Sequence, residues 1–328
     1  MFPPKLQIGD EIRIIAPSSS IGIISEKNTE FAAKRLRDFG FNVTFSKNAR
    51  EMDGSGSSSK ESRVEDLHEA FSDARVKGIL AAIGGYNINQ ILNHVDFDLI
   101  KRNPKVICGY SDITALSNAI YRKTGLVNYS GPTFANFGMI RGLEYTVEYF
   151  KKCLMIEGSF EIIPSREWSD DCWYLDQDRR NFIKNDGPYI INPGEAEGTI
   201  IGGNLCTLNL LQGTEFMPSI RESVVFLEED DMTGKRTPLN FDRDLQSLLH
   251  LPDSKNLRGI VIGRFQKGSE MTREKLAGII KKKRELDNIP VVADADFGHS
   301  SPMITFPIGG TAIVSAENNH VELEITKH

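Results

Sequence analysis

Cysteine and histidine are both scarce in this chain, and neither forms a recognisable ligand pattern. Only four cysteines occur in 328 residues, far apart and without a Cys-x-x-Cys pair: Cys108, Cys153, Cys172 and Cys206. This spacing excludes a dense disulfide framework and predicts the reduced thiols of a cytoplasmic protein. The six histidines contain no His-Glu-x-x-His motif. We therefore expect no metal ion and no other cofactor.

Long apolar runs and an excess of positive charge are also missing. No stretch approaches the roughly 18 apolar residues that span a bilayer, and residues 1–10 lack the apolar centre of a signal peptide. The 45 acidic residues exceed the 39 basic residues, which gives a net charge of −6. This charge offers no electrostatic reason to bind nucleic acid or an anionic membrane. We expect neither as a partner.

Strand and helix patterns alternate through the first half of the chain. Short apolar runs and helix-like patterns take turns at residues 11–17, 26–39, 41–45, 63–73, 78–83, 89–95 and 106–108. This β-α-β-α-β order predicts a parallel, doubly wound sheet covered by helices on both faces. We assign residues 1–165 to this N-terminal α/β domain.

The second half has a different character, with short strands in the majority. Residues 166–190 are polar, acidic and aromatic without clean periodicity, which predicts a linker or substrate loop. From residue 191 to residue 328, six strand-like runs are interrupted by only two or three helical patterns. We therefore expect a smaller, β-rich α+β domain with a small, partly closed sheet.

A serine at a sharp turn is the strongest functional signal. An apolar run leads into Gly-Tyr-Ser-Asp at residues 109–112, and a helical pattern begins at once. Such a turn exposes the Ser111 hydroxyl as a nucleophile, and the backbone N–H of Asp112 can then bind an oxyanion. The alternative is a plain loop in which Ser111 or Asp112 caps the helix. Ile113 replaces the second glycine of Gly-x-Ser-x-Gly, which argues against an ordinary α/β-hydrolase turn.

A serine nucleophile needs a base and an acid that orients the base. His299 lies in the loop after the predicted strand 290–293, where ligands gather in open α/β folds, and this position favours it as the base. Glu228 directly follows the predicted strand 223–227 and is the best-anchored acid of the acidic run 228–231. The two alternative interpretations of the acidic run 228–231 are a solvated turn and a set of metal ligands.

Two glycine pairs stand at predicted strand ends. Gly84-Gly85 is either a tight turn that requires positive φ or a place where the Gly85 N–H supplies a second oxyanion donor. Gly202-Gly203-Asn204 opens a helix and can bind a phosphate or carboxylate. It lacks the further glycines or lysine of a nucleotide-binding motif.

Six ordered motifs resemble the LD-carboxypeptidase family of serine peptidases. They lie at residues 16–18, 82–85, 109–112, 202–205, 227–228 and 297–299. The resemblance covers essentially the whole chain and implies a flavodoxin-like or amidotransferase-like N-terminal domain, a smaller β-rich C-terminal domain and a homodimer. It also implies a catalytic triad of Ser111, Glu228 and His299, with the amides of Gly85 and Asp112 as oxyanion donors.

Two branches of that family imply different substrates. Murein LD-carboxypeptidases remove the terminal D-alanine from cell-wall tetrapeptides. Members of the microcin C immunity type cleave the amide that joins a C-terminal aspartate to a nucleotide analogue. The aromatic segment with Trp168 and Trp173 resembles the longer loop of the immunity type, as do residues 241–246. Pro188-Tyr189 departs from the tryptophan that this type often carries.

We therefore expect a cytoplasmic serine peptidase of the immunity-like branch, acting on small peptides or aminoacyl-nucleotide amides. The predicted substrate contacts are Asn204, Trp168 and Trp173. Both tryptophans stack on a flat substrate ring or, alternatively, pack at a domain or dimer interface. A murein LD-carboxypeptidase is the second enzymatic hypothesis. A non-catalytic ligand-binding protein on the same scaffold is the hypothesis from another class.

Overall fold

Strands and helices alternate through the first half as their periodicity predicts. The computed structural model describes the whole chain, residues 1–328. The bounds in this half are β1 (Glu11–Ile15), α1 (Glu26–Asp38), β2 (Asn42–Phe45), α2 (Lys60–Ser72), β3 (Val76–Ala81), α3 (Phe97–Arg102), β4 (Val106–Cys108), α4 (Ile113–Thr124), β5 (Asn128–Ser130) and α5 (Glu144–Met155).

The first five strands form a parallel sheet in the order β5-β4-β3-β1-β2. This is the flavodoxin-like order, in which the chain reverses direction across the sheet between β1 and β3. The doubly wound α/β domain predicted from the sequence is confirmed. Because ligands bind beyond the carboxyl ends of strands near that reversal, the loops after β1, β3 and β4 are the ones placed to form a site.

One helix predicted in this half has a different form. Residues 89–95 were expected as a helix, and Ile88–His94 is a 3-10 helix instead. Asn87 precedes it without capping it, because its side chain is committed elsewhere. The Asn87 amide oxygen accepts from Arg63 at 2.9 Å, and its nitrogen donates to Ser57 Oγ at 2.8 Å.

The second half contains more strand than its sequence suggests. Its elements are β6 (Phe160–Glu161), β7 (Glu167–Trp168), β8 (Ile183–Lys184), β9 (Tyr189–Asn192), β10 (Gly194–Asn204), α6 (Leu205–Asn209), β11 (Ser223–Glu228), α7 (Thr237–Leu249), β12 (Gly259–Gly263), α8 (Arg273–Ile280), β13 (Val291–Ala295), β14 (Phe306–Ile308), β15 (Thr311–Glu317) and β16 (His320–Lys327).

Eight of these strands form one sheet, in the order β6-β16-β15-β10-β11-β12-β13-β9. The prediction of a small sheet is therefore wrong. β10 is long enough to pair with two partners at once: its first half runs antiparallel to β15 and its second half parallel to β11. The short β6 and β9 extend the sheet at its edges, and neither has a periodicity that the sequence reveals.

The predicted linker or substrate loop, residues 166–190, also contains regular structure. β7 and β8 pair antiparallel, with Trp168 opposite Ile183. Beyond β7, Ser169 and Ser301 exchange two backbone hydrogen bonds of 2.7 and 2.8 Å. This segment is therefore fastened to the loop that carries His299.

One strand and one helix connect the two halves of the chain. β14 leaves the second half of the chain and pairs antiparallel with β5, which completes a six-stranded first sheet. α4 is buried along residues 113–120 and belongs to the same apolar cluster as Ile201, Leu205 and Val225. A helix buried on all sides is a rigid support, so the residue before it is firmly held. No helix in the structure combines the length and hydrophobicity needed to cross a membrane.

Candidate active site

Ser111 stands at a strained turn between β4 and α4. Its φ of +63° lies in the left-handed region, which non-glycine residues rarely adopt. Such a conformation costs on the order of 1–3 kcal/mol and persists only where the surroundings enforce it. Here β4 is central in its sheet and α4 is buried, so the turn has two fixed ends. The serine hydroxyl is thereby presented at the carboxyl edge of the first sheet.

The structure brings Ser111, His299 and Glu228 together in one hydrogen-bonded chain. His299 Nε2 lies 3.0 Å from Ser111 Oγ, and His299 Nδ1 lies 2.7 Å from Glu228 Oε2. His299 comes from the loop between β13 and β14, whereas Glu228 is the last residue of β11. The sequence predicts a strand at residues 223–227 with Glu228 directly after it, whereas the structure includes Glu228 in the strand. There its side chain is 3% exposed and firmly held.

The electrostatics of this chain of side chains favour the protonated imidazole. Burial lowers the pKa of His299, but the charge and hydrogen bond of Glu228, helped by the charges of Asp230 and Glu229, outweigh burial and raise that pKa to about 9. Glu228 Oε1 is buried and has no hydrogen-bond partner. An imidazolium formed beside Glu228 is therefore strongly stabilised.

The backbone at Gly84 and Gly85 runs directly beside Ser111. A Cβ atom added to Gly84 would lie 2.9 Å from Ser111 Cβ, and one added to Gly85, where φ is +154°, would lie 2.1 Å from Ser18 Oγ. Neither position has room for a side chain. The amides of Gly85 and Asp112 donate no hydrogen bond within the protein. Both are therefore free to bind an acceptor.

The carboxylate of Asp112 is buried in a polar network that sequence analysis missed. It accepts hydrogen bonds from Ser18 Oγ and from the backbone N–H of Ile88, the latter at 2.8 Å. Burial raises the pKa of Asp112, although these hydrogen bonds oppose the shift. Arg63, 2% exposed, donates to Asn87 within the same network. The motifs at residues 16–18 and 109–112 contain two of its members, Ser18 and Asp112, but neither motif predicts their contact.

A second buried acid lies next to Glu228. Glu229 accepts hydrogen bonds from Asn204 Nδ2 at 3.2 Å and from the backbone N–H of Cys206 at 3.1 Å. Burial and the neighbouring charges of Glu228 and Asp230 raise the pKa of Glu229 to about 7. Glu229 thus joins the end of β11 to the first turn of α6.

The triad opens into a cavity of about 610 Å³. Four aromatic side chains line it: Tyr86, Tyr110, Trp173 and Tyr174. Tyr110 packs against His299, with its ring centroid 5.2 Å from that of the imidazole. Burial raises the pKa of Tyr110 to about 12, so its hydroxyl stays protonated. Tyr110 belongs to the motif at residues 109–112, whereas Tyr86 and Tyr174 are isolated tyrosines without a distinguishing sequence pattern.

The charged lining of this cavity is acidic. Four carboxylates line it and no Lys or Arg does. Asp171 is paired with Arg180 at 2.7 Å, whereas Asp170, Asp230 and Asp231 have no ion-pair partner. Close to these three carboxylates, the cavity therefore favours a cationic group of a ligand.

The structure distributes the three predicted substrate contacts over different places. Trp173 lines the triad cavity. Trp168 does not, and instead borders a separate cavity with Arg264 and Lys267. Asn204 is 2% exposed, and its side chain is occupied by capping α6 through Thr207 and by donating to Glu229. Of the three, only Trp173 is placed to meet a substrate at Ser111.

Both halves of the chain match models of one family. Residues 12–131 match the LD-carboxypeptidase N-terminal domain, and residues 197–314 match the LD-carboxypeptidase C-terminal domain. Together the two matches cover more than half of the chain, in the order that defines a two-domain peptidase. The chain belongs to the LD-carboxypeptidase family.

Full-length relatives carry names from both branches of that family. YocD of Bacillus subtilis, a carboxypeptidase by name, is 51% identical over the full length of both chains. The microcin C7 self-immunity protein MccF of Escherichia coli is 30% identical over 98% of this chain and 95% of its own. A Bacillus subtilis relative named as a murein peptide carboxypeptidase is also 30% identical, over 98% of this chain and 94% of its own.

Solved structures share the complete fold. An MccF-like protein from Bacillus anthracis has a TM-score of 0.99 and 54% identity, with both chains fully covered. MccF in complex with aspartyl sulfamoyl adenosine has a TM-score of 0.87 and 28% identity over 100% of this chain and 99% of its own. These likenesses confirm the two-domain α/β architecture that the resemblance implied.

Proposed function

We propose that this protein hydrolyses an amide bond with Ser111 as nucleophile, His299 as base and Glu228 as the acid that orients the base. The observation that carries the proposal is the unbroken chain from Glu228 Oε2 through both ring nitrogens of His299 to Ser111 Oγ. Each residue comes from a different strand end, and each is in hydrogen-bond reach of the next.

This arrangement predicts a reaction in two stages, formation of an acyl-serine and then its hydrolysis. Ser111 Oγ attacks the carbonyl carbon while His299 Nε2 takes its proton, and Glu228 stabilises the resulting imidazolium. The N–H groups of Asp112 and Gly85 hold the oxyanion. The C–N bond then breaks as His299 returns the proton to the leaving amine. Water, activated by the same imidazole, hydrolyses the acyl-serine and releases the acid.

The lining of the cavity supports an aminoacyl-nucleotide amide as the substrate. Aromatic side chains such as Trp173 and Tyr86 stack well on a flat base. The unpaired carboxylates of Asp170 and Asp230 suit a free ammonium next to the scissile carbonyl, which an aminoacyl group supplies. MccF, whose fold this chain shares, forms a complex with a ligand of this class.

Removal of D-alanine from a murein tetrapeptide is the second candidate. Its support is the relative named for that activity, which is as similar to this chain as MccF is. A murein peptide has no flat ring for the aromatic lining to contact, so the aminoacyl nucleotide remains the first choice.

The deciding experiment is turnover measured by mass spectrometry. Aspartyl sulfamoyl adenosine and a murein tetrapeptide are incubated separately with the wild-type protein and with Ser111→Ala. We expect cleavage of the first compound by the wild type only. Cleavage of the tetrapeptide alone would select the murein activity. Binding without cleavage of either compound would favour a non-catalytic binding protein.

We also propose that the protein is a cytoplasmic homodimer, as the family resemblance implies. The four cysteines are all free, including the exposed Cys172 and Cys206, which fits a reducing compartment. Light scattering at micromolar concentration tests the assembly, with a mass near twice 36.7 kDa as the expected result.

A further inference from the structure

A second cavity, of about 430 Å³, lies beside the catalytic one and has the opposite charge. Two carboxylates line it against four cationic side chains: Lys184, Arg264, Lys267 and Arg273. We call it the basic cavity. The chain as a whole carries a net charge of −6, and the catalytic cavity has no Lys or Arg in its lining. The positive charge is therefore a local feature of this cavity.

Two of the four cations form no ion pair, and one unpaired carboxylate, that of Asp186, lines the cavity with them. Arg264 pairs with Asp296 at 3.2 Å, and Arg273 pairs with Asp294 at 2.9 Å. Lys184 and Lys267 have no carboxylate within ion-pair distance and are exposed at the cavity. Two ammonium groups thus face the same opening without a partner.

Arg264 supplies an independent indication that something external binds here. Its side chain is only 5% exposed, and one nitrogen, Nη2, makes all of its hydrogen bonds, with Asn185, Asp294 and Asp296. Nε is buried and has no partner, and Nη1 donates to no protein atom. A buried guanidinium whose N–H groups are unused is costly. An anion in the basic cavity would offer Nη1 the acceptor that the protein does not supply.

The walls of the cavity are aromatic as well as basic. The Trp168 ring lies 5.0 Å from the Arg264 guanidinium carbon and 5.6 Å from Lys267 Nζ. The Tyr189 ring lies 4.7 Å from the guanidinium carbon of Arg273. Ile183, Phe265, Met271 and Leu276 complete the apolar part. Cations held at aromatic faces beside apolar side chains suit a ligand that is itself half apolar and half anionic.

We infer that the basic cavity is a second binding site, for a small organic anion in which a carboxylate or phosphate is attached to a flat apolar ring. The site adjoins the catalytic cavity, since Gln266 lines both. In addition, the backbone N–H of Lys267 donates to the carboxylate of Asp170 at 2.6 Å, and Asp170 lines the catalytic cavity. The inference does not depend on the proposed hydrolysis.

The two tryptophans of the chain allow the two cavities to be observed separately, because Trp168 borders one and Trp173 the other. In Trp173→Phe, fluorescence reports on Trp168 alone. We expect a saturable change on titration with phenyl phosphate or phenylacetate, at least tenfold tighter than with benzyl alcohol. Inorganic phosphate tests the anion without the ring. A response to only one of the two ring-bearing anions identifies phosphate or carboxylate as the preferred group.

Charge variants in the same background locate the site. Lys267→Met and Lys184→Met should each weaken binding about 3- to 10-fold, because each removes an unpaired ammonium. Lys255→Met removes an exposed lysine outside the cavity and should leave affinity unchanged. The inference fails if no saturable change occurs, if benzyl alcohol binds as tightly as the anions, or if the cavity lysine variants bind like the control. An equal response from Trp173 in Trp168→Phe would place the ligand in the catalytic cavity and also overturn it.

Discussion

Thr114 Oγ1, in the first turn of α4, accepts a hydrogen bond of 3.0 Å from the backbone N–H of Asn204 at the end of β10. This bond joins the helix that supports Ser111 to the sheet that carries Glu228. The approach is close because Gly203 precedes Asn204. A Cβ added to Gly203, where φ is +119°, would lie 2.3 Å from Thr114 Oγ1. The two halves of the site therefore meet where only glycine fits.

Replacement of that glycine should disturb both stability and catalysis. Gly203→Ala introduces a clash and an unfavourable φ, whereas Gly213→Ala introduces only the unfavourable φ of +75°, with no neighbour within 4 Å. We expect Gly203→Ala to lower the free energy of unfolding by about 1–3 kcal/mol more than the control does. Urea unfolding measures the difference, and kcat should fall only in Gly203→Ala. Equal losses of stability would show that the contact is unimportant.

The sequence alone predicts that each residue of the triad lies at the end of a strand. Ser111 lies just beyond the carboxyl end of β4 in the first sheet, whereas Glu228 and His299 lie at and beyond the carboxyl ends of β11 and β13 in the parallel part of the second sheet. Functional side chains collect at such strand ends. Strand ends are readable from apolar runs that stop at polar residues. The contact between the two sheets, by contrast, depends on β14 crossing from one half to the other, and its three residues have no pattern that predicts a crossing.

Removal of the triad side chains should abolish hydrolysis while leaving the fold intact. We expect Ser111→Ala and His299→Ala each to lower kcat by about 10⁶-fold, and Glu228→Gln by about 10⁴-fold, since the orienting acid contributes less than its partners. Ser300→Ala is the control, because Ser300 lines the same cavity and its buried hydroxyl has no hydrogen-bond partner. Turnover by folded Ser111→Ala at the wild-type rate would disprove the mechanism.

The raised pKa of His299 predicts an alkaline pH dependence. The imidazole must be neutral to act as a base, so kcat/KM should rise through about pH 9 and level off above it. Asp230→Asn removes one charge that raises the pKa and should move this midpoint to lower pH. Stability should show the opposite trend: the contribution of the pair is complete below about pH 6.5 and is lost as the pH rises through about 9. A kcat/KM midpoint near 6.5 would contradict the role of Glu228.

The network behind Asp112 should affect the chemical step more than binding. Ser18→Ala removes the hydroxyl that donates to the Asp112 carboxylate, so the adjacent N–H is less firmly placed for the oxyanion. We expect kcat to fall roughly tenfold with KM unchanged, a fraction of the loss seen when an oxyanion donor is deleted. Ser20→Ala is the control, because Ser20 caps residues 21–23 and does not contact Asp112. Its effect should appear in the melting temperature and not in kcat.

The position of Trp168 illustrates what sequence reasoning could not reach. Trp168 and Trp173 lie in one aromatic segment, which predicts the same role for both. The pairing of β7 with β8 sets the orientation of Trp168, and a pairing of two residues on each side leaves no periodicity to read. The network of Ser18, Asp112 and Asn87 was missed for a related reason. It joins loops from three different strands, and such contacts exist only in the folded chain.

Of the two tryptophans, Trp173 is the candidate for contact with a substrate ring. Its indole is half-buried, packs partly against the core of the first sheet and lines the triad cavity. Stacking of the indole on a nucleobase would contribute about 1–3 kcal/mol. Trp173→Ala should therefore raise KM for an aminoacyl nucleotide roughly 5- to 150-fold, at about 1.4 kcal/mol per tenfold change. Peptide substrates without a ring should be almost unaffected.

Trp168→Ala provides the matched control for this prediction, because it deletes the same side chain from the neighbouring cavity. If Trp173 stacks on the substrate, only Trp173→Ala discriminates between ring-bearing and ring-free substrates, and its melting temperature stays close to that of the wild type. If Trp173 serves packing instead, Trp173→Ala changes KM equally for both substrates. The variant then also has a lower melting temperature or no longer forms the dimer. Equal changes in KM would remove the aromatic contact that favours an aminoacyl nucleotide over a murein peptide.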